Sequence, residues 1–103
     1  MTTPAEADSV APIQTVLAAL ADPVRLEMVR RLAAVGGEVP VACCDLYEGV
    51  TKATASHHFK ILRTAGITRR ETVAGAIHQV LRRDDVESAY PGLLDAVVGA
   101  TRR

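Results

Sequence analysis

Apolar positions from residue 12 onward fall into blocks, and most blocks have a marked end. Ile13, Val16, Leu17 and Leu20 recur at the spacing of a short amphipathic helix. Pro23 steers Asp22 away from helical backbone and suits the first position of a new helix, with Asp22 as its N-cap. That second helix is expected over about Pro23 to Val35, with Leu26, Val29, Leu32 and Ala33 inward, Arg25, Arg30 and Arg31 on other faces, and Gly36-Gly37 as its stop. Residues 1–11, with Thr2, Thr3, Pro4 and Ser9, read as a flexible start ahead of one domain over 12–100. After Pro40, the short apolar run from Val41 to Tyr47 or Glu48 reads as the first helix of a helix-turn-helix pair, joined to the next by Glu48-Gly49-Val50.

The stretch from Thr51 to Gly66 is the most sharply bounded helix in the chain. Thr51 can accept a hydrogen bond from an amide of the first turn, and Gly66 suits the positive φ of a helix end. Ala55, Phe59 and Leu62 make its buried stripe. Ala53, Ser56, His57 and Lys60, with Lys52 and Thr54 near the start, make a polar and cationic face without an acid. A solvated helix face normally mixes charge signs, so this one points to an anionic partner. The period then changes to an extended one. Ile67 to Val73 and Ala76 to Arg82 flank Ala74-Gly75 as a hairpin, which Arg69, Arg70, Arg82 and Arg83 would make positive. Asp84 or Asp85 is expected to cap a final helix carrying Val86, Ala89, Tyr90, Leu93, Leu94, Val97 and Val98, kinked or split at Pro91-Gly92.

Composition and charge refine this outline. The chain has 103 residues, 49% of them hydrophobic, and only three aromatic side chains (Tyr47, Phe59 and Tyr90), which fits one aliphatic, Ala-rich helical core. No apolar run is long enough for a membrane span and no secretory signal is visible, so a cytoplasmic location is expected. The formal net charge is zero, yet residues 50–83 hold Lys52, Lys60, Arg63, Arg69, Arg70, Arg82 and Arg83 against the single acid Glu71. A localised basic segment of this kind is what phosphate binding requires, whatever the total charge.

Two segments carry a family resemblance. Ala19-Leu20-Ala21-Asp22-Pro23-Val24-Arg25-Leu26 resembles the A-L-A-D-P-x-R-L opening of ArsR/SmtB-type winged-helix repressors, and Ser56-His57-His58-Phe59-Lys60-Ile61-Leu62-Arg63-Thr64-Ala65-Gly66-Ile67 is similar to their S-H-H-L-K-x-L-x-x-A-G-L segment. Phe59 departs from the usual Leu in size. The resemblance covers nearly the whole chain. It implies a mainly α winged helix-turn-helix of about five helices with a β-hairpin wing. It also implies a homodimer that represses transcription from a partly palindromic double-stranded operator and is released by an inducer. Arsenic and cadmium sensors of that family carry C-V-C-D-L ahead of the recognition helix; here Ala42-Cys43-Cys44-Asp45-Leu46 keeps only the second thiol in register. The zinc site that such sensors build on the terminal helix needs His, and residues 84–103 contain none.

The candidate DNA-contacting residues are Lys52, Ala53, Thr54, Ser56, His57, Lys60, Arg69 and Arg70. Successive helix positions diverge by about 100°, so His57 and His58 do not readily share a metal; one is expected at the core boundary and the other in solvent. His78 reads as an exposed strand residue. Cys43 and Cys44 have three readings: two small buried helix residues, a thiolate site for arsenite or a soft metal ion completed from a second subunit, or a reactive thiol. The apolar terminal stripe, together with the first helix, is expected to form a dimer interface of Ile13, Val16, Leu17, Leu20, Tyr90, Leu93, Leu94 and Val97. A winged-helix protein-interaction module, and a regulator with no metal or thiol sensing of its own, are the alternatives. No constellation of catalytic residues is recognisable.

Overall fold

The computed structural model describes residues 9–100. Helix α1, Ile13–Leu20, turns Val16, Ala19 and Leu20 inward. Helix α2, Pro23–Ala34, begins as expected. The Asp22 carboxylate accepts from the amides of Val24 at 2.8 Å and Arg25 at 3.1 Å, and Pro23 needs no amide partner. Its inward side differs from the expected one: Met28, Val29 and Leu32 are buried, whereas Leu26 and Ala33 are half-buried. Methionine's unbranched chain lets it fill the centre of the core from a position the Leu/Val spacing passes over.

The run after Pro40 is not an α-helix, contrary to expectation. Val41–Ala42 is a short strand, β1, and Cys43–Asp45 is one turn of 3₁₀-helix. The physical reason is a competing partner. Starting a helix is costly in so short a segment, while the chain offers β1 a strand to pair with, Val41 opposite Gln79 and Ala42 opposite His78. Leu46, fully buried, then anchors the irregular connection to α3, in which Gly49 adopts φ +79°.

Helix α3, Lys52–Thr64, is capped at both ends by its own sequence. The Thr51 hydroxyl accepts from the Thr54 amide at 3.1 Å. At the other end Gly66, at φ +78°, donates to the Arg63 carbonyl at 2.9 Å, and Ile67 donates to the Leu62 carbonyl at 3.1 Å. This is a Schellman closure, completed by burial of both Leu62 and Ile67. Strand β2, Thr68–Val73, follows at once and pairs antiparallel with β3, Ala76–Leu81, from Thr68 opposite Leu81 to Val73 opposite Ala76. Ala74 and Gly75 both have positive φ, as a two-residue type I′ turn demands. The sheet order is β1-β3-β2.

The final helix is split at Pro91-Gly92, one of the two outcomes expected, into α4, Arg83–Ala89, and α5, Leu93–Ala100. Asp84 and Asp85 do not cap α4; they lie within its first turn, and the N-cap Arg82 makes no side-chain capping bond. Glu38 reaches over instead and accepts from the Asp84 amide at 3.1 Å. Leu94 of α5 is buried, and the helix packs on α2 of the same chain. Of the expected flexible start, residues 1–8 lie outside the described residues, but Val10 and Ala11 pack on the core, and the Ala11 amide donates to the Ala65 carbonyl at 2.9 Å. Among the described residues no helix is long and apolar enough to cross a membrane. Five helices with a small antiparallel sheet behind α3 make a winged helix-turn-helix.

Candidate nucleic-acid interface

The buried stripe of α3 fixes which of its side chains face outward. Ala55, His58, Phe59 and Leu62 are buried, and Lys52, Ala53, Thr54, Ser56, His57 and Lys60 are all exposed. The six sequence-singled residues therefore share one side of the helix, and none of them is an acid. Lys52 and Lys60 make no ion pair among the described residues.

The wing carries less free charge than its sequence suggests. Arg69 is exposed but paired with Glu38 at 3.0 Å and with Glu71 at 3.7 Å. Arg70 is exposed and without an ion pair among the described residues. Arg82 and Arg83 are not wing residues, because β3 ends at Leu81 and the chain turns directly into α4. Arg82 pairs with Asp85 at 3.1 Å, and Arg83 donates to the Ala33 carbonyl at 3.1 Å. Beyond Glu71 the wing tip is uncharged, with Val73 and Ile77 exposed.

The two adjacent histidines split as the sequence implied. His57 is exposed, whereas His58 is buried and its Nδ1 accepts from the Arg25 guanidinium at 2.9 Å. Arginine only donates, so His58 carries no proton on that nitrogen in this arrangement. Arg25 also donates to the Ala19 carbonyl at 2.6 Å. It thereby closes the C-terminus of α1 while holding the back of α3. Sequence reasoning placed Arg25 on an outer face and missed this link. It missed Glu38 too, the acid that caps α4 and restrains Arg69, since nothing local marks either role.

Cys43 is half-buried and Cys44 exposed, so the reading of two buried helix residues does not hold. Among the described residues no group of three His, Cys, Asp or Glu side chains stands close enough to hold a metal ion. His78 is half-buried in β3, with its Nδ1 donating to the Ala76 carbonyl at 3.1 Å. Of the eight residues expected at a dimer interface, Val16, Leu20 and Leu94 are buried in the chain's own core. Ile13 and Leu17 are exposed, and Tyr90, Leu93 and Val97 half-buried.

A capped helix with a cationic, acid-free outer face, braced by an antiparallel wing, defines a winged helix-turn-helix DNA-binding unit. Comparison with known proteins agrees. Residues 20–71 match the helix-turn-helix domain family. The chain is also 36% identical over 81 residues, 77% of its own length and 79% of the relative's, to the uncharacterized HTH-type transcriptional regulator YceK of Bacillus subtilis (strain 168). The chain belongs to the helix-turn-helix family of transcriptional regulators and is a DNA-binding transcriptional regulator.

Proposed function

We propose that the chain is an effector-released repressor of the ArsR/SmtB type that binds a palindromic operator as a homodimer in the cytoplasm. The observation that carries the proposal is the outer face of α3, where Lys52, Ala53, Thr54, Ser56, His57 and Lys60 are exposed together without an acid. In this reading α3 enters the major groove, Ser56 and His57 reach base edges, and Lys52, Lys60 and Arg70 meet phosphates, while Arg69 beside them is held by Glu38 and joins them only on its release. The exposed Ile13 and Leu17, with the half-buried Tyr90, Leu93 and Val97, supply the apolar face a second copy would cover. Val16, Leu20 and Leu94 support that face from beneath.

The test is fluorescence anisotropy on the DNA upstream of the protein's own gene. Replacing Lys52 and His57 together by Ala should weaken binding by about tenfold or more, since a phosphate contact and a base-edge contact are both lost. Wild-type affinity in that double variant would refute the assigned face. Sedimentation velocity tests the dimer: Leu17→Glu should shift the population to monomer. An inducer role for the thiols needs a third ligand from the second subunit if the ligand is arsenite or a soft metal. Replacing Cys43 and Cys44 by Ser should then leave DNA binding intact and abolish release by arsenite; unchanged release would remove the thiols from the mechanism.

A further inference from the structure

Behind the outer face of α3 lies a cleft of about 380 Å³, walled by α3 on one side and by the 3₁₀ turn and the sheet on the other. Its volume is within the range of small-molecule sites. Lys52, Ser56, Phe59 and Arg63 line it at positions i, i+4, i+7 and i+11, one continuous stripe of the helix. Arg70 and Gln79 face each other across the β2–β3 pair, so their side chains emerge on the same side of the sheet, and both line the cleft. The body of the cleft is apolar. Tyr47 meets Phe59 edge to face, with ring centroids 6.1 Å apart, and Ala55 and Ile77 complete it.

Three features of this cleft are unresolved within the chain. Lys52, Arg63 and Arg70 line it and no Asp or Glu does. Burial first, and then the neighbouring Arg70 guanidinium, push Arg63 below its ordinary value, with Cys43 acting the other way. Gln79 is 1% exposed, yet its side-chain carbonyl oxygen has no hydrogen-bond partner among the described residues, while its amide nitrogen donates to the Cys43 sulfur at 3.7 Å. A buried acceptor left open is costly; this oxygen is closed off from solvent, so a ligand donor in the cleft would satisfy it as the Gln79 side chain turns toward it.

The geometry points to an effector pocket for a small, mostly apolar carboxylic acid that also carries a hydrogen-bond donor. The carboxylate spans Arg63 and Arg70, the ring or branched body rests on Phe59 and Tyr47, and the donor meets the Gln79 carbonyl. A DNA phosphate would satisfy the cations but would leave the apolar body of the cleft empty. Lys52 and Ser56 belong both to this pocket and to the outer face of α3, so an occupant competes for groups that DNA binding uses. This effector role rests on the DNA-binding reading above; the occupancy of the pocket does not.

The full chain, without DNA, is titrated with para-hydroxybenzoate, salicylate and para-hydroxyphenylacetate, and with the alcohols corresponding to each acid, while backbone amide NMR shifts are followed. Saturable shifts centred on Cys43, Ser56, Arg70 and Gln79 are expected. At least one acid should bind about tenfold tighter than its alcohol, and that preference should vanish in Arg63→Gln/Arg70→Gln. Circular dichroism verifies that this variant, altered only at half-buried and exposed sites, keeps its helix content. The pocket is overturned if none of the acids gives saturable shifts at those residues, if every acid and its alcohol bind alike, or if the preference survives the double substitution. A second arm adds the best-binding acid to the protein–DNA complex. Binding to the free chain without loss of DNA affinity would remove the effector role and leave the pocket standing; absence of any DNA complex would count against the repressor reading alone.

Discussion

Gly66 joins the end of α3 to the start of the wing, and a single methyl group there should be costly. At φ +78° an alanine pays the left-handed backbone penalty, about 1–2 kcal/mol, partly offset by about 0.4–1 kcal/mol from a less flexible unfolded chain. Space is the larger difficulty. A Cβ at Gly66 would stand 2.7 Å from the Ser9 carbonyl oxygen and 2.7 Å from the Val10 Cα, both backbone atoms. The N-terminal segment must lift to admit it. Lifting strains the 2.9 Å bond from the Ala11 amide to the Ala65 carbonyl, worth about 0.5–1.5 kcal/mol, and part of the Val10 packing, worth about 1 kcal/mol. The expected total for Gly66→Ala is roughly 2–4 kcal/mol of lost stability.

Gly75 separates the two causes. It has nearly the same backbone, φ +81°, but nothing lies within 4 Å of an added Cβ. Gly75→Ala should therefore show the conformational part alone, about 1 kcal/mol. Urea unfolding followed by circular dichroism gives both values, with the m-value as a check that the unfolded state is unchanged. Removing residues 1–10 should bring the cost of Gly66→Ala down to that of Gly75→Ala. The reasoning is refuted if the two glycine substitutions cost the same in the full chain, or if truncation leaves their difference intact.

Arg25→Met removes the donors to the Ala19 carbonyl and to the buried His58 ring, and should cost about 2–3 kcal/mol in urea unfolding, because both acceptors stay behind unpaired. Glu27 is held at about 2, against an ordinary 4.5, by hydrogen bonds from Arg30 and then Arg31. Its folded value is depressed, so its contribution is present above about 4.5 and is lost as pH falls toward about 2. The Glu27 side chain is 38% exposed, so screening keeps this below about 1 kcal/mol. Glu27→Gln should flatten that acid limb in melting temperature against pH, and an unchanged limb would refute the assignment.

How far the sequence spoke depended on how local the deciding contacts are. Thr51, Gly66 and Asp22 were legible because cap and capped amide lie within a few residues of each other. The Ala74-Gly75 turn was legible for the same reason. Residues 41–45 were not, since their conformation is chosen by β3, more than thirty residues away. Arg82 and Arg83 read as wing cations because nothing in their own neighbourhood shows that the strand ends at Leu81. The pocket behind α3 was illegible as a unit. Its cations, its aromatic floor and the open Gln79 carbonyl come from four separate elements that only the fold brings together.

The same redistribution changes what the basic segment can do, and salt dependence can read it. Seven cations between residues 50 and 83 would suggest that wing and helix grip DNA alike. In the structure Arg69, Arg82 and Arg83 are occupied by Glu38, Asp85 and the Ala33 carbonyl, which leaves Lys52, Lys60, Arg63 and Arg70 on or beside α3. The field is therefore concentrated on the helix, and the uncharged wing tip offers shape rather than charge. If each free cation neutralises one phosphate, a dimer should lose affinity with a log–log salt slope of about −7, against about −13 if all seven cations took part. Glu38→Gln should release Arg69 and steepen the slope by about −2 per dimer. A wild-type slope near the steeper limit, or one indifferent to Glu38, would mean that the ion pairs seen here open on DNA and that the wing binds through charge after all.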